Sequence, residues 1–215
     1  MHCVVTAGPT FEPLDNVRRL TNFSTGRLGC HLAEYLVAHG FKITLLLGEQ
    51  AVCSPRLGLQ TVLRFSTTTN LAEHLRELSE ARVDAVFHAA AVSDFRFGKV
   101  WTRTADGQMT EISSGKYSTR QGLLLAELIP TEKIIPSLRD WFPQARLVGW
   151  KFEVDGDRGG VIRIAEGQIA KCRTDACVAN GPAYGPGFGL VQAEKPCAHL
   201  PDEAALFPAL ASLVS

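Results

Sequence analysis

Three short apolar segments, separated by two amphipathic ones, constrain the fold of this chain more than any other feature. The apolar segments cover residues 2–6, 42–47 and 85–91 and are rich in β-branched residues. Strands that are apolar almost throughout are typical of a parallel sheet that is covered on both faces. The segments between them repeat leucine at helical spacing. This alternation predicts an α/β fold, a Rossmann-like three-layer αβα arrangement with a mainly parallel, doubly wound sheet.

Capping residues predict the ends of both helices. The first helix should begin at Ser24 or Thr25 and end at Gly40, a residue type that favours helix C-termini. The second should begin at Asn70, with Glu73 three residues later completing a capping box.

The same pattern resumes late in the chain, after a long polar segment. Strands are expected at residues 123–128, 146–152 and 175–180, and helices from Thr131 to Trp141, at 160–172 and at 202–214. Residues 95–122 should form a protruding β-arm or flap, because a loop of this length inside a compact domain is usually functional or an oligomer contact. We assign residues 1–215 to one domain that includes this arm.

Charge and cysteine content exclude several function classes. The 22 basic and 22 acidic residues balance, so neither nucleic acid nor an anionic membrane is an expected partner. The six cysteines lack the spacing of a zinc site and are expected to be reduced thiols. Neither a signal peptide nor a membrane-spanning run is recognisable, so we expect a soluble cytoplasmic protein.

The first candidate site joins the end of the first strand to the start of the first helix. Gly8 ends the strand, and Ser24, Thr25 and Gly26 begin the helix. Unpaired N–H groups at a helix N-terminus favour an anion such as phosphate. A dinucleotide fingerprint would place its glycines directly between strand and helix, whereas fifteen residues separate Gly8 from Ser24. The alternative is that Ser24 and Thr25 only cap the helix.

Asn22 lies just before this helix. Its carboxamide can donate to a developing oxyanion and accept from an amine, which suits an acyl-transfer centre. Alternatively, Asn22 only stabilises a turn by bonding to its own backbone.

The second candidate site follows the third strand. Ala90 and Ala91 allow close approach to the backbone, and Asp94 lies where open α/β sheets bind ligands. Asp94 could bind a ribose, a base amine or Mg²⁺, or it could cap a turn. Trp150, in a later strand, could stack on a base or belong to the core. We interpret His88 as a core or interface histidine.

Several motifs together closely resemble the phosphopantothenate–cysteine ligase family. They are TAGPTFEPLDNVR at residues 6–18, TNFSTG at 21–26 and AAAVSDF at 89–95. VGWKFE at 148–153, DACVAN at 175–180 and GFG at 187–189 extend the likeness over almost the whole chain. The first motif is long and specific.

The resemblance implies a usually dimeric ligase of coenzyme A biosynthesis. Such an enzyme activates 4′-phosphopantothenate with CTP or ATP and Mg²⁺, and the acyl-nucleotidylate then reacts with cysteine. We expect a free-standing form without a decarboxylase domain in this chain, with a separate decarboxylase as a possible partner. The residues and the resemblance together assign catalytic roles to Asn22 and Lys116, nucleotide binding to Gly8, Ser24, Thr25, Gly26, Ala90, Ala91, Asp94 and Trp150, and a metal contact to Asp94.

Two departures from the family's pattern leave the choice of nucleotide open. The family's flap carries a lysine where Glu111 is the best match, and an acid would repel a triphosphate. Either Lys116 supplies this charge, or the alignment of the arm has slipped. In the late helix, Gln168 and Cys172 stand where bacterial members have two lysines.

Two other functions compete with this one. The Gly26-x-x-Gly29 pattern also occurs in NAD(P)-dependent short-chain-type reductases, but no tyrosine is followed four residues later by lysine. A non-catalytic nucleotide-binding relative would keep the pocket and lack the flap cation.

Overall fold

The central sheet has eight strands, six of them parallel, in a computed structural model that describes residues 1–55, 61–118, 120 and 122–214. The strands follow the order β13-β12-β11-β10-β6-β1-β4-β5. Their bounds are β1 His2–Ala7, β4 Lys42–Gly48, β5 Thr61–Phe65, β6 Ala85–His88, β10 Arg146–Phe152, β11 Ala176–Asn180, β12 Phe188–Gln192 and β13 Ala198–Leu200. β12 and β13 are antiparallel to their neighbours. The α/β fold is therefore confirmed, with two antiparallel strands added at one edge.

Helices cover both faces of this sheet. They are α1 Arg27–Ala38, α2 Thr68–Leu78, α3 Leu138–Trp141, α4 Arg158–Cys172 and α5 Glu203–Ala211. On one face, α1 and α5 pack on Val5, Leu45 and Val178. On the other, α2 and α3 pack on Val4 and Leu46, while α4 packs on Cys177. Adjacent strand residues point to opposite faces, which is why each inner strand is apolar throughout.

Two small sheets interrupt the alternation. A hairpin of β2 (Phe11–Pro13) and β3 (Arg19–Thr21) lies between β1 and α1. The predicted arm is a sheet in the order β8-β7-β9, formed by β7 (Phe95–Arg103), β8 (Met109–Ile112) and β9 (Leu123–Pro130). It continues beyond the predicted bound at residue 122, because β9 pairs with β7 as far as Pro130. Residues 119, 121 and 215 of the predicted arm and domain lie outside the described residues.

Several predicted boundaries were wrong. α1 begins at Arg27, with Gly26 in a left-handed conformation at its N-cap. α2 is capped by Thr67, whose hydroxyl accepts from the Asn70 N–H, so Asn70 and Glu73 do not form the predicted capping box. β6 ends at His88, because beyond it the backbone turns to pair with the loop after β1.

Elements at the edges of the fold also differ from expectation. The helix expected from Thr131 is a 3-10 turn (Ile135–Ser137) followed by the short α3, since Pro136 cannot donate within a longer helix. β5, β12 and β13 were not predicted. Among the described residues, no helix is long and apolar enough to cross a membrane.

Candidate functional site

Gly8 meets two glycines from the start of α1, Gly26 and Gly29, at the end of β1. Gly8 (φ 82°) and Gly26 (φ 76°) both need the left-handed conformation. A Cβ on Gly26 would lie 3.2 Å from the Gly8 Cα, and one on Gly29 would lie 2.5 Å from the Ala7 Cβ. These positions match the roles of a dinucleotide-binding loop: a tight turn, a close approach and helix–strand packing. The β2–β3 hairpin is inserted inside that loop. This insertion accounts for the fifteen residues between Gly8 and Ser24 that argued against a dinucleotide fingerprint in the sequence.

The N-terminus of α1 is open towards this edge. The N-cap residue Gly26 has no side chain, and the Thr25 hydroxyl accepts only from the Arg27 N–H, at 3.4 Å. The N–H groups of Leu28 and Gly29 have no hydrogen-bond acceptor among the described residues. The loop after β4 closes one side, because Val52 and Cys53 each donate an N–H to the Thr25 carbonyl at 3.1 Å. Ser24 and Thr25 therefore border a helix mouth that can bind an anion.

The alanine segment after β6 crosses in front of β1. The Ala91 N–H donates to the Gly8 carbonyl at 3.0 Å, and the Ala90 N–H donates to the Thr6 hydroxyl at 3.1 Å. The Asn22 carboxamide donates to the Ala91 carbonyl at 3.1 Å. Two of the predicted sites are thereby joined, with the exposed Asn22 side chain between the helix mouth and the alanine segment. No described residue donates a hydrogen bond to its amide oxygen.

A polar network fixes Asp94 beside the alanine segment. The buried Thr10 hydroxyl accepts from the Ser93 N–H at 2.8 Å and donates to the Ser93 hydroxyl at 2.9 Å. The Asp94 carbonyl accepts from the Thr131 N–H at 2.9 Å, and the exposed Asp94 carboxylate forms an ion pair with Lys133. Lys133 was not singled out in the sequence, because its contact with Asp94 depends on the return of the arm.

Asp15, in the loop between β2 and β3, binds the arm to the hairpin. The Asp15 carboxylate accepts from the N–H groups of Val17, Arg18 and Tyr117 at 2.8–3.1 Å and forms an ion pair with Arg18 at 2.7 Å. Removal from water raises its pKa, but these hydrogen bonds outweigh that effect and lower the pKa to about 2. The Arg18 guanidinium also donates to the Tyr117 carbonyl at 2.6 Å. The segment that carries Lys116 is thus attached to the loop that leads to Asn22.

Lys116 itself is exposed, next to the buried Tyr117. Its side chain forms no ion pair within 4.0 Å with a described residue. Glu111, by contrast, accepts from Lys99 at 2.9 Å within the arm. The acid that best matches the family's lysine therefore already has a cationic partner within the arm.

Trp150 and Asn180 each carry a buried polar atom without a hydrogen-bond partner, namely Trp150 Nε1 and Asn180 Oδ1. β10 and β11 pair so that Trp150 faces Val178 and Phe152 faces Asn180. The two side chains therefore lie on the same face of the sheet, at its carboxyl edge. Unsatisfied buried groups of this kind are rare, and a bound ligand would satisfy them.

His88 and Gln168 lie inside the protein. The His88 Nδ1 lies 3.0 Å from the Thr6 hydroxyl, and complete burial lowers its pKa to about 4, so the ring is neutral. Gln168 and Cys172 are buried in the C-terminal half of α4, which runs away from the carboxyl edge towards the start of β11. The lack of lysine at these two positions therefore removes no contact at this edge.

The described residues contain no group of three or more His, Cys, Asp or Glu side chains that could hold a metal ion. Asp94 does offer a hard oxygen donor at the site. Mg²⁺ at nucleotide sites is usually held by one or two carboxylates together with phosphates and water. Asp94, whose carboxylate also pairs with Lys133, could contribute one oxygen donor to a Mg²⁺ that arrives with a nucleotide.

Comparison with known proteins places this geometry in a family. Residues 1–200 match the DNA/pantothenate metabolism flavoprotein C-terminal domain. The chain is 34% identical over 178 residues to the coenzyme A biosynthesis bifunctional protein CoaBC of Thermococcus kodakarensis, covering 82% of this chain and 40% of that protein. It is 31% identical over 189 residues to CoaBC of Bacillus subtilis, covering 87% and 42%.

Among solved structures, the DNA/pantothenate metabolism flavoprotein from Streptococcus pneumoniae is similar with a TM-score of 0.85. The two are 24% identical, and the match covers 100% of this chain and 98% of that one. This likeness shows the fold. The chain spans about two-fifths of the length of the curated relatives it matches.

Proposed function

The chain belongs to the DNA/pantothenate metabolism flavoprotein C-terminal domain family, and from that premise we propose that it is a phosphopantothenate–cysteine ligase of coenzyme A biosynthesis. The proposed reaction joins 4′-phosphopantothenate to cysteine at the expense of CTP or ATP. The observation that carries the proposal is the meeting of Asn22, the open N-terminus of α1 and Asp94 at one edge of the sheet.

In the first half of the reaction, a carboxylate oxygen of phosphopantothenate attacks the α-phosphorus of the nucleotide. The bond from this phosphorus to the β-phosphate oxygen breaks, and pyrophosphate leaves. The uncapped N–H groups of α1 lie where phosphate oxygens would bind, and the glycines allow close approach of the backbone. Mg²⁺, when bound at Asp94 and the phosphates, would supply positive charge for the leaving pyrophosphate.

In the second half, the free amine of cysteine attacks the acyl carbon. A tetrahedral centre forms at this carbon. The bond between the carbon and the oxygen that is attached to phosphorus then breaks, and NMP leaves with the electron pair of this bond. The attacking nitrogen loses a proton. One amide hydrogen of Asn22 is held by the Ala91 carbonyl. The other is free to donate to the developing oxyanion, which is the arrangement that accelerates acyl transfer.

Further contacts with the nucleotide are proposed for one charged side chain and for two buried polar atoms that lack hydrogen-bond partners. Lys116 would bring a free cation to the triphosphate once the arm covers the site. Trp150 Nε1 and Asn180 Oδ1, a donor and an acceptor without partners, suit the polar edge of a nucleobase. Both CTP and ATP present such an edge.

A homodimer is a further part of the proposal. Four large apolar side chains of the described part of the arm, Phe95, Met109, Leu123 and Leu128, are exposed, and a partner subunit would bury them. Sedimentation of the purified protein at about twice the monomer mass would support this. We also propose a separate decarboxylase as a partner.

The reductase alternative has less support. In a Rossmann dehydrogenase the adenosine lies beyond the second strand, which corresponds to β4. Here the loop after β4 turns back onto the glycines, and the Ala51 Cβ would lie 2.8 Å from a Cβ on Gly8. The non-catalytic alternative is disfavoured by the free Lys116 and by the neutralisation of Glu111.

Substrate dependence tests the proposal directly. The purified chain should release pyrophosphate only when 4′-phosphopantothenate and either CTP or ATP are both present, and cysteine should convert the intermediate into phosphopantothenoylcysteine, detected by mass spectrometry. Nucleotide binding without pyrophosphate release would favour the non-catalytic relative. Oxidation of NADPH with a carbonyl substrate would favour the reductase.

A further inference from the structure

A second opening lies beside the site, on the face of the sheet that α2 covers. This cavity, of about 370 Å³, is lined by α2, by the strands β2 and β7, and by the segment that runs from the end of β9 to α3. Its wall includes Thr131 and Lys133, the two residues that hold Asp94. The cavity therefore adjoins Asp94, at the edge where the nucleotide is proposed to bind.

Charges of both signs line the cavity without neutralising one another. Arg76 and Arg96 contribute positive charge, and Glu12, Glu73 and Glu132 contribute negative charge. None of these five forms an ion pair within 4.0 Å with a described residue. Opposite charges around one small space that are not paired with each other suit a ligand that itself carries both charges.

Glu12 gives the cavity a buried anionic wall. The residue is 6% exposed, and its Oε1 accepts from the Thr68 N–H at the start of α2 at 3.0 Å. Its carboxylate forms no ion pair within 4.0 Å with a described residue. A largely buried negative charge without a cationic partner favours a ligand that brings positive charge.

The cationic and apolar walls are equally defined. The Arg76 guanidinium lies over the Trp141 ring, 5.1 Å from its centroid, so the ring orients the group and leaves its N–H donors free. A planar guanidinium with free donors matches a carboxylate. Trp141, Ala72 and Ile134 provide an apolar surface for a small side chain.

We infer that this cavity binds the α-amino acid substrate as a zwitterion, with its ammonium at the glutamates and its carboxylate at Arg76. The inference rests on the proposed ligase function and adds the location of the amine nucleophile. Cysteine is small enough for the cavity, and its thiol would lie on the apolar wall. The cavity wall includes Lys133, whose ion-pair partner Asp94 lies at the edge where the acyl group is proposed to be activated.

The test uses Arg76→Gln and Glu73→Gln, two exposed positions on α2, with Arg82→Gln as the matched control outside the cavity. We expect both cavity variants to raise the KM for cysteine about tenfold or more, since each loses a charge-assisted contact. Pyrophosphate release in the absence of cysteine, and the KM values for nucleotide and phosphopantothenate, should match the wild type. Glu12 is left unchanged because it also caps α2.

Cysteamine separates carboxylate recognition from general damage. It has the amine and the thiol of cysteine but lacks the carboxylate, so Arg76→Gln should leave its KM unchanged. An unchanged KM for cysteine in both cavity variants would overturn the inference, as would a rise in the KM for phosphopantothenate instead.

Calorimetric titration with cysteine tests the cavity without turnover. We expect binding by the wild type and by Arg82→Gln, and weaker binding by Arg76→Gln. Failure of the wild type to release pyrophosphate would defeat the proposed ligase and leave this measurement to decide the inference. Equal binding by Arg76→Gln and the wild type, or no binding by either, would contradict it.

Discussion

Asn22 illustrates how one residue acquires a function from its neighbours. The sequence left two roles open for it, a turn or an acyl-transfer centre. In the fold its amide donates to the Ala91 carbonyl, 69 residues away, which holds the carboxamide between the helix mouth and the alanine segment. Its free oxygen and second hydrogen support the catalytic role.

Changing Asn22 to Asp removes that donor and adds a negative charge. We expect turnover to fall by about 100-fold or more, as for other oxyanion donors, with thermal stability unchanged because the side chain is exposed. Asn70→Asp, the same change at the start of α2, is the control and should stay active. Wild-type turnover by Asn22→Asp would remove Asn22 from the mechanism.

His88 predicts a pH dependence of stability. Its pKa is about 4 in the fold and about 6.5 when unfolded, so the unfolded chain takes up a proton first as the pH falls. The free energy of unfolding should therefore fall from about pH 6.5 down to about pH 4, by roughly 2 kcal/mol between pH 7 and pH 5. His88→Gln should lose this part of the pH dependence, measured by urea unfolding at both pH values.

Other residues titrate over the same range, so only the difference between the two proteins is informative. A constant destabilisation of His88→Gln, from the lost contact with Thr6, cancels in that difference. Identical slopes in the two proteins would show that the His88 ring accepts a proton within the fold.

At the scale of elements, the inner strands and the long helices were predictable because their signal is local. β1, β4 and β10 are apolar runs, and α1 and α4 repeat apolar residues on one face. The missed strands have weaker signals. β5 alternates because it lies at the edge of the sheet, and the three residues of β13 become a strand only by pairing with β12.

The candidate site was predictable only in part, because only some of its residues belong to a local sequence pattern. Gly8, Asn22, Asp94 and the alanines belong to continuous motifs. Lys133 and the empty hydrogen-bonding positions of Trp150 and Asn180 depend on contacts between distant segments. A single sequence carries no signal for such contacts.

Helix α1 can approach β1 only because Gly29 lacks a side chain. We expect Gly29→Ala to destabilise the protein by about 1–3 kcal/mol, because the new methyl would overlap Ala7. Gly167→Ala in α4, where a Cβ meets nothing within 4 Å, should instead stabilise the protein by about 0.5–1 kcal/mol. Urea unfolding of both variants gives the comparison, and effects of the same sign would contradict this packing.

The arm depends on Asp15 for its attachment to the hairpin. We expect Asp15→Ala to increase hydrogen exchange at the Tyr117 amide, which loses its acceptor, and to lower turnover. Asp106→Ala, at the β7–β8 turn, removes a carboxylate that accepts within the arm itself and serves as the control.

A second variant tests the side chain of Lys116 independently of the attachment of the arm. Lys116→Ala should lower turnover while leaving exchange at Tyr117 unchanged, because the side chain has no ion pair that holds the arm. Turnover equal to that of the wild type would end the role proposed for Lys116.

At the scale of the whole molecule, two insertions define the site. The β2–β3 hairpin extends the loop after β1, and the arm extends the connection from β6 to β10. β1 and β6 are neighbours at the point where the strand order reverses, the usual ligand site of open α/β sheets. Both insertions therefore begin at this edge, and Asp15 and Tyr117 join them above it.

The central claim is that a carboxylate is activated as an acyl-nucleotidylate at this edge. The most direct test supplies 4′-phosphopantothenate with a heavy-oxygen label in its carboxylate, together with cysteine and CTP or ATP, and analyses the products by mass spectrometry. The proposed reaction transfers one labelled oxygen to the NMP, because that oxygen bridges carbon and phosphorus before the C–O bond breaks. Label found in inorganic phosphate, with a nucleoside diphosphate as the other product, would contradict it.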